Sequence, residues 1–199
     1  MLDFLSDNKK SIMKKTGAVP QKPLPERGSD IRVVVGNNLR ALLDNLGWGV
    51  LDLHRRTGFS THFIADILRG EQNPSIDKLY VIARSLGVEI HQLLNPRFEV
   101  PGKSLLLDML ALSNRDVAQL REKASQDVNV ARKNLAWNLR RLLASNNITA
   151  AALAQDIGIA ASTIQKCLKA NQNLTIENLD AIAQDLGVSA FVLLLPTEV

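Results

Sequence analysis

The chain has 199 residues, room for one ordinary domain or two small ones, and 46% of them are hydrophobic, enough for packed cores. Aromatic residues make up only 4% while Leu, Ala and Ile abound, which favours helices packed through aliphatic stripes over β-sandwiches. A formal charge of +4 permits a polyanionic partner without demanding one, and the single Cys167 excludes an intramolecular disulfide and any multi-cysteine metal site.

Residues 1–30 are polar, hold Pro20, Pro23 and Pro25 and carry the pairs Lys9–Lys10 and Lys14–Lys15, the composition of a disordered arm. The opening MLDFLSDNKKSIMKK lacks the apolar stretch of a secretion signal, and no apolar run approaches the ~18 residues of a membrane span. A cytoplasmic protein without membrane association is therefore expected. Over 31–96 the apolar periodicity predicts five short helices near 32–46, 50–57, 61–69, 76–86 and 89–95. Gly58 and Gly87 suit left-handed helix ends, and Ser60 and Ser75 suit amino-terminal caps. Pro96 and Pro101–Gly102 then punctuate a connector over 97–130. Two helical stretches are expected in it, one with Leu105, Leu106, Met109 and Leu110 on one side and the other with Val117, Leu120 and Ala124. Ser113 and Asp116 could form a capping box between them, so the connector reads as ordered helix. A second domain occupies 131–199.

That second domain is a copy of the first. Sliding the chain by 100 positions aligns 38–96 with 138–196 without a gap, giving 21 identities in 59 pairs. Asn38/Asn138, Arg40/Arg140, Leu53/Leu153, Gly58/Gly158, Ile64/Ile164, Asn73/Asn173, Ile76/Ile176 and Gly87/Gly187 are among them. Most matches are apolar or glycine, the positions that set a core and its turns, so the two segments share one fold, with Thr149 and Thr175 as further caps. The expected architecture is all-α: two tandem five-helix domains joined by a helical connector.

LHRRTGFSTHFIADILRG (53–70) and LAQDIGIAASTIQKCLKA (153–170) each read as helix, glycine turn, small polar residue and a second helix with an inward Ile, the spacing of a helix-turn-helix. With the flanking helices, ending in IARSLGVEIHQLL and IAQDLGVSAFVLL, both copies resemble the lambda repressor and Cro-like family, also called the XRE family, over about 130 of the 199 residues. The resemblance implies double-stranded DNA as partner, with the third helix of each copy in the major groove. The residues it places on DNA are Arg55, Arg56, Thr61, His62 and Arg69 in the first copy and Arg140, Arg141, Ser162, Gln165, Lys166 and Lys169 in the second. Asp66 beside them is unfavourable near phosphates unless it accepts from cytosine or pairs with Arg69.

Both copies depart from the resembled pattern. The Gln that opens the second helix in the family is Val50 and Ala150 here, and the Glu late in the third helix, which pairs with the Arg of the first, is Leu68 and Leu168. The leading expectation is a sequence-specific regulator, a repressor, of phage or mobile-element origin; the alternative is a protein-interaction module, an antitoxin or assembly factor using the same helices on a protein partner. No metal, cofactor or catalysis is expected, because His54, His62 and His91 lack ligand spacing and no phosphate-binding glycine loop or acid–base constellation is present. Cys167 aligns with the inward Ile67 and reads as core. In the fifth helix the polar His91, Gln92 and Asn95 become Phe191, Val192 and Leu195, an apolar patch expected to form a homodimer, or else to pack on the connector.

Overall fold

A computed structural model of the protein describes residues 30–113 and 117–197. Residues 1–29 of the expected arm and Asp116 of the expected capping box lie outside that range, as do the side chains of Met109, Val117, Leu120 and Ala124. The first copy forms α1 (Ile31–Leu46), α2 (Val50–Thr57), α3 (Thr61–Arg69), α4 (Ile76–Ser85) and α5 (Ile90–Leu93). In α1 the buried Val35, Leu39, Leu42 and Leu46 recur at helical spacing; the Asp30 carboxylate caps its start by accepting from the Arg32 amide at 2.9 Å, and Gly47 ends it at φ 71°.

Leu106 and Leu110, one turn apart, are the buried face of the connector's α6 (Lys103–Ser113), which packs on α1. Leu105, expected beside them, is 55% exposed and belongs to the other face. The helix that follows, α7 (Val117–Asn146), has no break near residue 130. With no Gly or Pro in its 30 residues, the connector's second helix runs on into the first helix of the second copy, about 45 Å in all. Its later part buries Ala131, Leu135, Leu139 and Leu143, and α8 (Ala150–Asp156), α9 (Ala161–Leu168), α10 (Ile176–Asp185) and a final 3-10 helix (Ala190–Leu194) complete the copy.

The chain turns left-handed at the same four places in both copies: Gly47/Asn147, Gly58/Gly158, Gly70/Ala170 and Gly87/Gly187. Ala170, at φ 57°, occupies without benefit of a glycine a conformation that costs an L-residue about 1–2 kcal/mol. Ser60, Thr149 and Thr175 accept the capping bonds expected of them, from the amides of Phe63, Ala152 and Asn178. Ser75 accepts none. The start of α4 is served from the other copy instead: the Asp77 amide donates to Asn173 Oδ1 at 3.3 Å, and the Glu177 amide of α10 donates to Asn73 Oδ1 at 3.3 Å.

These trans caps belong to a clasp that joins the copies. Ser75 and Thr175 form an isolated antiparallel bridge, in which the Ile76 amide donates to the Leu174 carbonyl at 2.8 Å and the Ile176 amide to the Pro74 carbonyl at 3.0 Å. Arg132 pairs with Asp77, and Arg32 pairs with Glu177 at 3.0 Å. Each contact turns into its counterpart when 100 is added to one residue and subtracted from the other, the signature of an isologous two-fold interface. The 3-10 helix likewise packs on α5, its own counterpart, and one apolar core runs through both copies. A chain with two domains in sequence is thus an intramolecular pseudo-dimer.

Gly36 on α1 lies so close to the end of α3 that an added Cβ would sit 2.7 Å from the Ile67 carbonyl oxygen and 2.9 Å from that of Leu68. Gly36→Ala is expected to destabilise the protein by about 1–3 kcal/mol, whereas Ala170→Gly is expected to stabilise it by about 1 kcal/mol; urea denaturation of both variants checks the two signs. Burial pushes the Asp180 carboxyl upward, opposed by the Gln184 amide that donates to it at 2.5 Å and reinforced by the Asp30 charge. A folded-state value above the unfolded one means that stability is greatest with the carboxyl protonated and falls as pH rises through the shifted range. Asp180→Asn is therefore expected to unfold at higher temperature than the parent at pH 7, with the difference shrinking toward pH 3.

Candidate nucleic-acid interface

The reading helix of each copy is oriented from its inner side. In α3, Ile64 and Ile67 are buried; in α9, Ile164 and Cys167 are. Anchoring those positions turns Thr61, His62 and Arg69 of the first copy outward, all exposed, with Ala65 and Asp66 half-buried between them. In the second copy Ala161, Ser162, Gln165, Lys166 and Lys169 are all exposed. Burial pushes the Cys167 thiol up to about 11, so it is protonated at neutral pH and serves as a small core residue.

The glycine turn before each reading helix is as the motif requires. Gly58, at φ 73°, donates its amide to the His54 carbonyl at 2.7 Å, and Gly158 takes φ 70°. At the far end of α3 the Arg40 guanidinium of α1 donates to the Leu68 carbonyl, and Arg140 of α7 donates to the Leu168 carbonyl in the same way. Where the family pattern has a carboxylate to receive this arginine, here a backbone carbonyl at the negative end of the reading helix does so. Sequence reasoning placed Arg140 on DNA and left Arg40 out; their identity at a spacing of 100 was the available signal for a shared role.

The other expected contact residues are distributed unequally. Arg55 pairs with Asp52 at 3.4 Å, and the Arg56 guanidinium lies 4.2 Å from the ring centre of Trp48. Arg141 stacks on Trp137, itself 45% exposed, at 5.1 Å. On α3, Asp66 gathers both neighbours: His62 Nε2 lies 3.3 Å from it, Arg69 donates to it, and Arg69 Nε also donates to Glu71 at 2.6 Å. Asp66 therefore takes the pairing with Arg69 that its position called for. Lys166 replaces Asp66 in the second copy, and no ion pair involves Lys166 or Lys169 among the described residues.

Phe191 and Val192, on the final 3-10 helix, and Leu195, which directly follows it, are the residues expected to form a homodimer or to pack on the connector; all three are partly buried within the chain, and the 3-10 helix packs on α5 of the first copy and on α7. Their place against the first copy's own fifth helix was not among the sequence expectations. Nor were the clasp residues Asn73, Asn173, Asp77 and Glu177, although polar matches at a spacing of 100, with no task inside one copy, were a visible sign. Among the described residues no cluster could hold a metal ion, and no helix is long and apolar enough to cross a membrane.

Comparison with known proteins agrees with this geometry. A Cro/C1-type HTH DNA-binding domain matches twice, over residues 38–99 and 138–190. An uncharacterized HTH-type transcriptional regulator of Sinorhizobium fredii, y4dJ, is 35% identical over 72 residues, which are 36% of this chain and 94% of that protein. That relative has the length of a single copy. No solved structure matches the chain significantly.

If Arg40 and Arg140 hold their reading helices by the carboxyl-terminal carbonyls, replacing either by Ala should lower stability by about 1 kcal/mol. Arg141→Ala, which removes only an exposed stacking contact, should stay within about 0.5 kcal/mol of the parent. Equilibrium unfolding in urea measures all three.

Proposed function

The chain belongs to the Cro/C1-type helix-turn-helix DNA-binding family, and we propose that it acts as a repressor, occupying one operator with both of its reading helices. The observation that carries this reading is the intramolecular two-fold. Paired reading helices ordinarily meet two half-sites ~34 Å apart by dimerisation, and the clasp around Ser75 and Thr175 supplies the pairing within one chain. Phe191, Val192 and Leu195 then serve the contact between copies. The competing use of those side chains, a homodimer of whole chains, predicts twice the solution mass at micromolar concentration.

Recognition follows from the chemistry of each exposed face. Gln165 and Ser162 offer donors and acceptors to base edges, Lys166 and Lys169 donate to guanine or phosphate, and Thr61 and His62 open the other helix. Arg55, Arg56 and Arg141 stand beside the reading helices, where cations meet phosphate oxygens. The second reading, a module that binds a protein partner, is favoured by one observation: Asp66 and Glu71 occupy the basic groups of α3.

DNA binding through phosphate neutralisation must weaken steeply with salt, the logarithm of affinity falling by about 0.9 per phosphate contact for each tenfold rise in salt. Replacing Gln165 or Lys166 by Ala should weaken binding by about 1–3 kcal/mol at particular base pairs, whereas Arg141→Ala should weaken all sequences alike and reduce the salt slope by about one. Titration of labelled duplexes across a salt series measures these effects. A flat salt dependence would favour the protein-partner reading, and protection of only ~4–6 base pairs would leave one reader at work.

A further inference from the structure

The two reading heads are held by one two-fold yet carry opposite chemistry at matched positions, and this bears on the shape of the DNA site. The inference rests on the DNA-binding reading above. At the position that Asp66 holds on α3, Lys166 stands on α9; where Glu71 follows α3, Asn171 follows α9. The segment 61–71 therefore carries a net charge of −1 and the segment 161–171 a net charge of +2, with His neutral. On the preceding helix the bias is reversed, because Arg55 and Arg56 of α2 are matched by Gln155 and Asp156 of α8. One head places Arg55 and Arg56 on the helix that flanks the groove and sets Asp66 against Arg69 on the helix that enters it. The other does the opposite.

Gln165, Lys166 and Lys169 are exposed, whereas Asp66 is half-buried at the same place on its own helix, held between His62 and Arg69 along α3. A carboxylate in the major groove accepts from cytosine N4 or adenine N6 and is repelled by guanine O6 and N7, which are the partners of a lysine. A perfect palindrome presents the same base edge to both heads, because the two-fold of the DNA exchanges the half-sites. No single edge satisfies both Asp66 and Lys166.

We propose that the chain recognises an asymmetric two-part DNA site, one chain per site and in one orientation, with a donor edge of cytosine or adenine facing Asp66 and an acceptor edge of guanine facing Lys166. The clasp gives the two parts a fixed spacing and the unequal heads give the site a direction. A symmetric dimer cannot distinguish its left flank from its right. This chain can.

Selection of random duplexes by the full-length protein tests the proposal, repeated with Asp66→Lys and Lys166→Asp. The expected result is a consensus of two blocks about one helical turn apart that is not self-complementary. Asp66→Lys should change preference in one block only and Lys166→Asp in the other only, each by roughly tenfold or more at the affected base pair. Thermal unfolding and far-ultraviolet circular dichroism establish that both variants fold, and Asp66→Asn and Lys166→Gln serve as milder replacements that remove each charge without reversing it. A self-complementary consensus, two chains bound per duplex at saturation, or both substitutions acting on the same block would overturn the asymmetric site while leaving DNA binding intact. Absence of any enrichment by the folded wild type would instead overturn the DNA-binding reading itself.

Discussion

Two backbone amides, those of Ile76 and Ile176, cross from one copy to the other and meet the carbonyls of Leu174 and Pro74. Hydrogen bonds of this kind contribute about 1 kcal/mol each, a small part of what holds the copies together beside the apolar core they share. Their importance is geometric. A bridge one residue wide fixes which residues face each other, and the trans caps from Asn73 and Asn173 extend that register into α4 and α10. The flanking ion pairs are unequal: Arg132 and Asp77 are each about a quarter exposed or less, while Arg32 and Glu177 are more open to solvent and Arg32 is shared with Asp30, so the former is the stronger of the two.

Everything at the candidate interface is positioned from this centre outward. The bridge segments 71–75 and 171–175 directly follow the two reading helices, so the register of the clasp sets the relation of α3 to α9. Within each copy the first helix then holds the reading helix at its carboxyl end, by Arg40 and the close approach at Gly36 in one case and by Arg140 beside the buried Ala136 in the other. The single methyl difference between Gly36 and Ala136 means that α1 and α3 approach one another more closely than a side chain there permits. The two copies have kept a common frame while their outward residues have diverged in charge.

Duplication inside one chain also changes what substitution can do. In a homodimer every replacement occurs twice, so an acid on the reading helix burdens both half-sites. In a fused pair, Asp66 and Lys166 vary independently, and a position unfavourable in one head is free of that restriction in the other. The same logic applies to the fifth helix, where α5 and the 3-10 helix packed on it carry His91 and Phe191 at matched positions.

Local chemistry made much of this legible from the amino-acid sequence. The repeat at a spacing of 100, the helix ends at Gly58, Gly87, Gly158 and Gly187, the caps at Ser60, Thr149 and Thr175, and the outward sets on both reading helices all follow from short-range rules: left-handed glycine, side-chain capping and apolar periodicity. What only the tertiary structure decided involves residues far apart in the chain. Ser75 makes no cap while Asn173 of the other copy serves the start of α4, Arg140 turns to the Leu168 carbonyl, Leu105 is exposed while Leu106 is buried, and the connector continues unbroken into the second copy as α7. A repeat in sequence states that two segments share a fold; it carries no information on how they are placed. That placement depends on which polar groups find partners across a buried boundary, and those partners are chosen by packing in three dimensions.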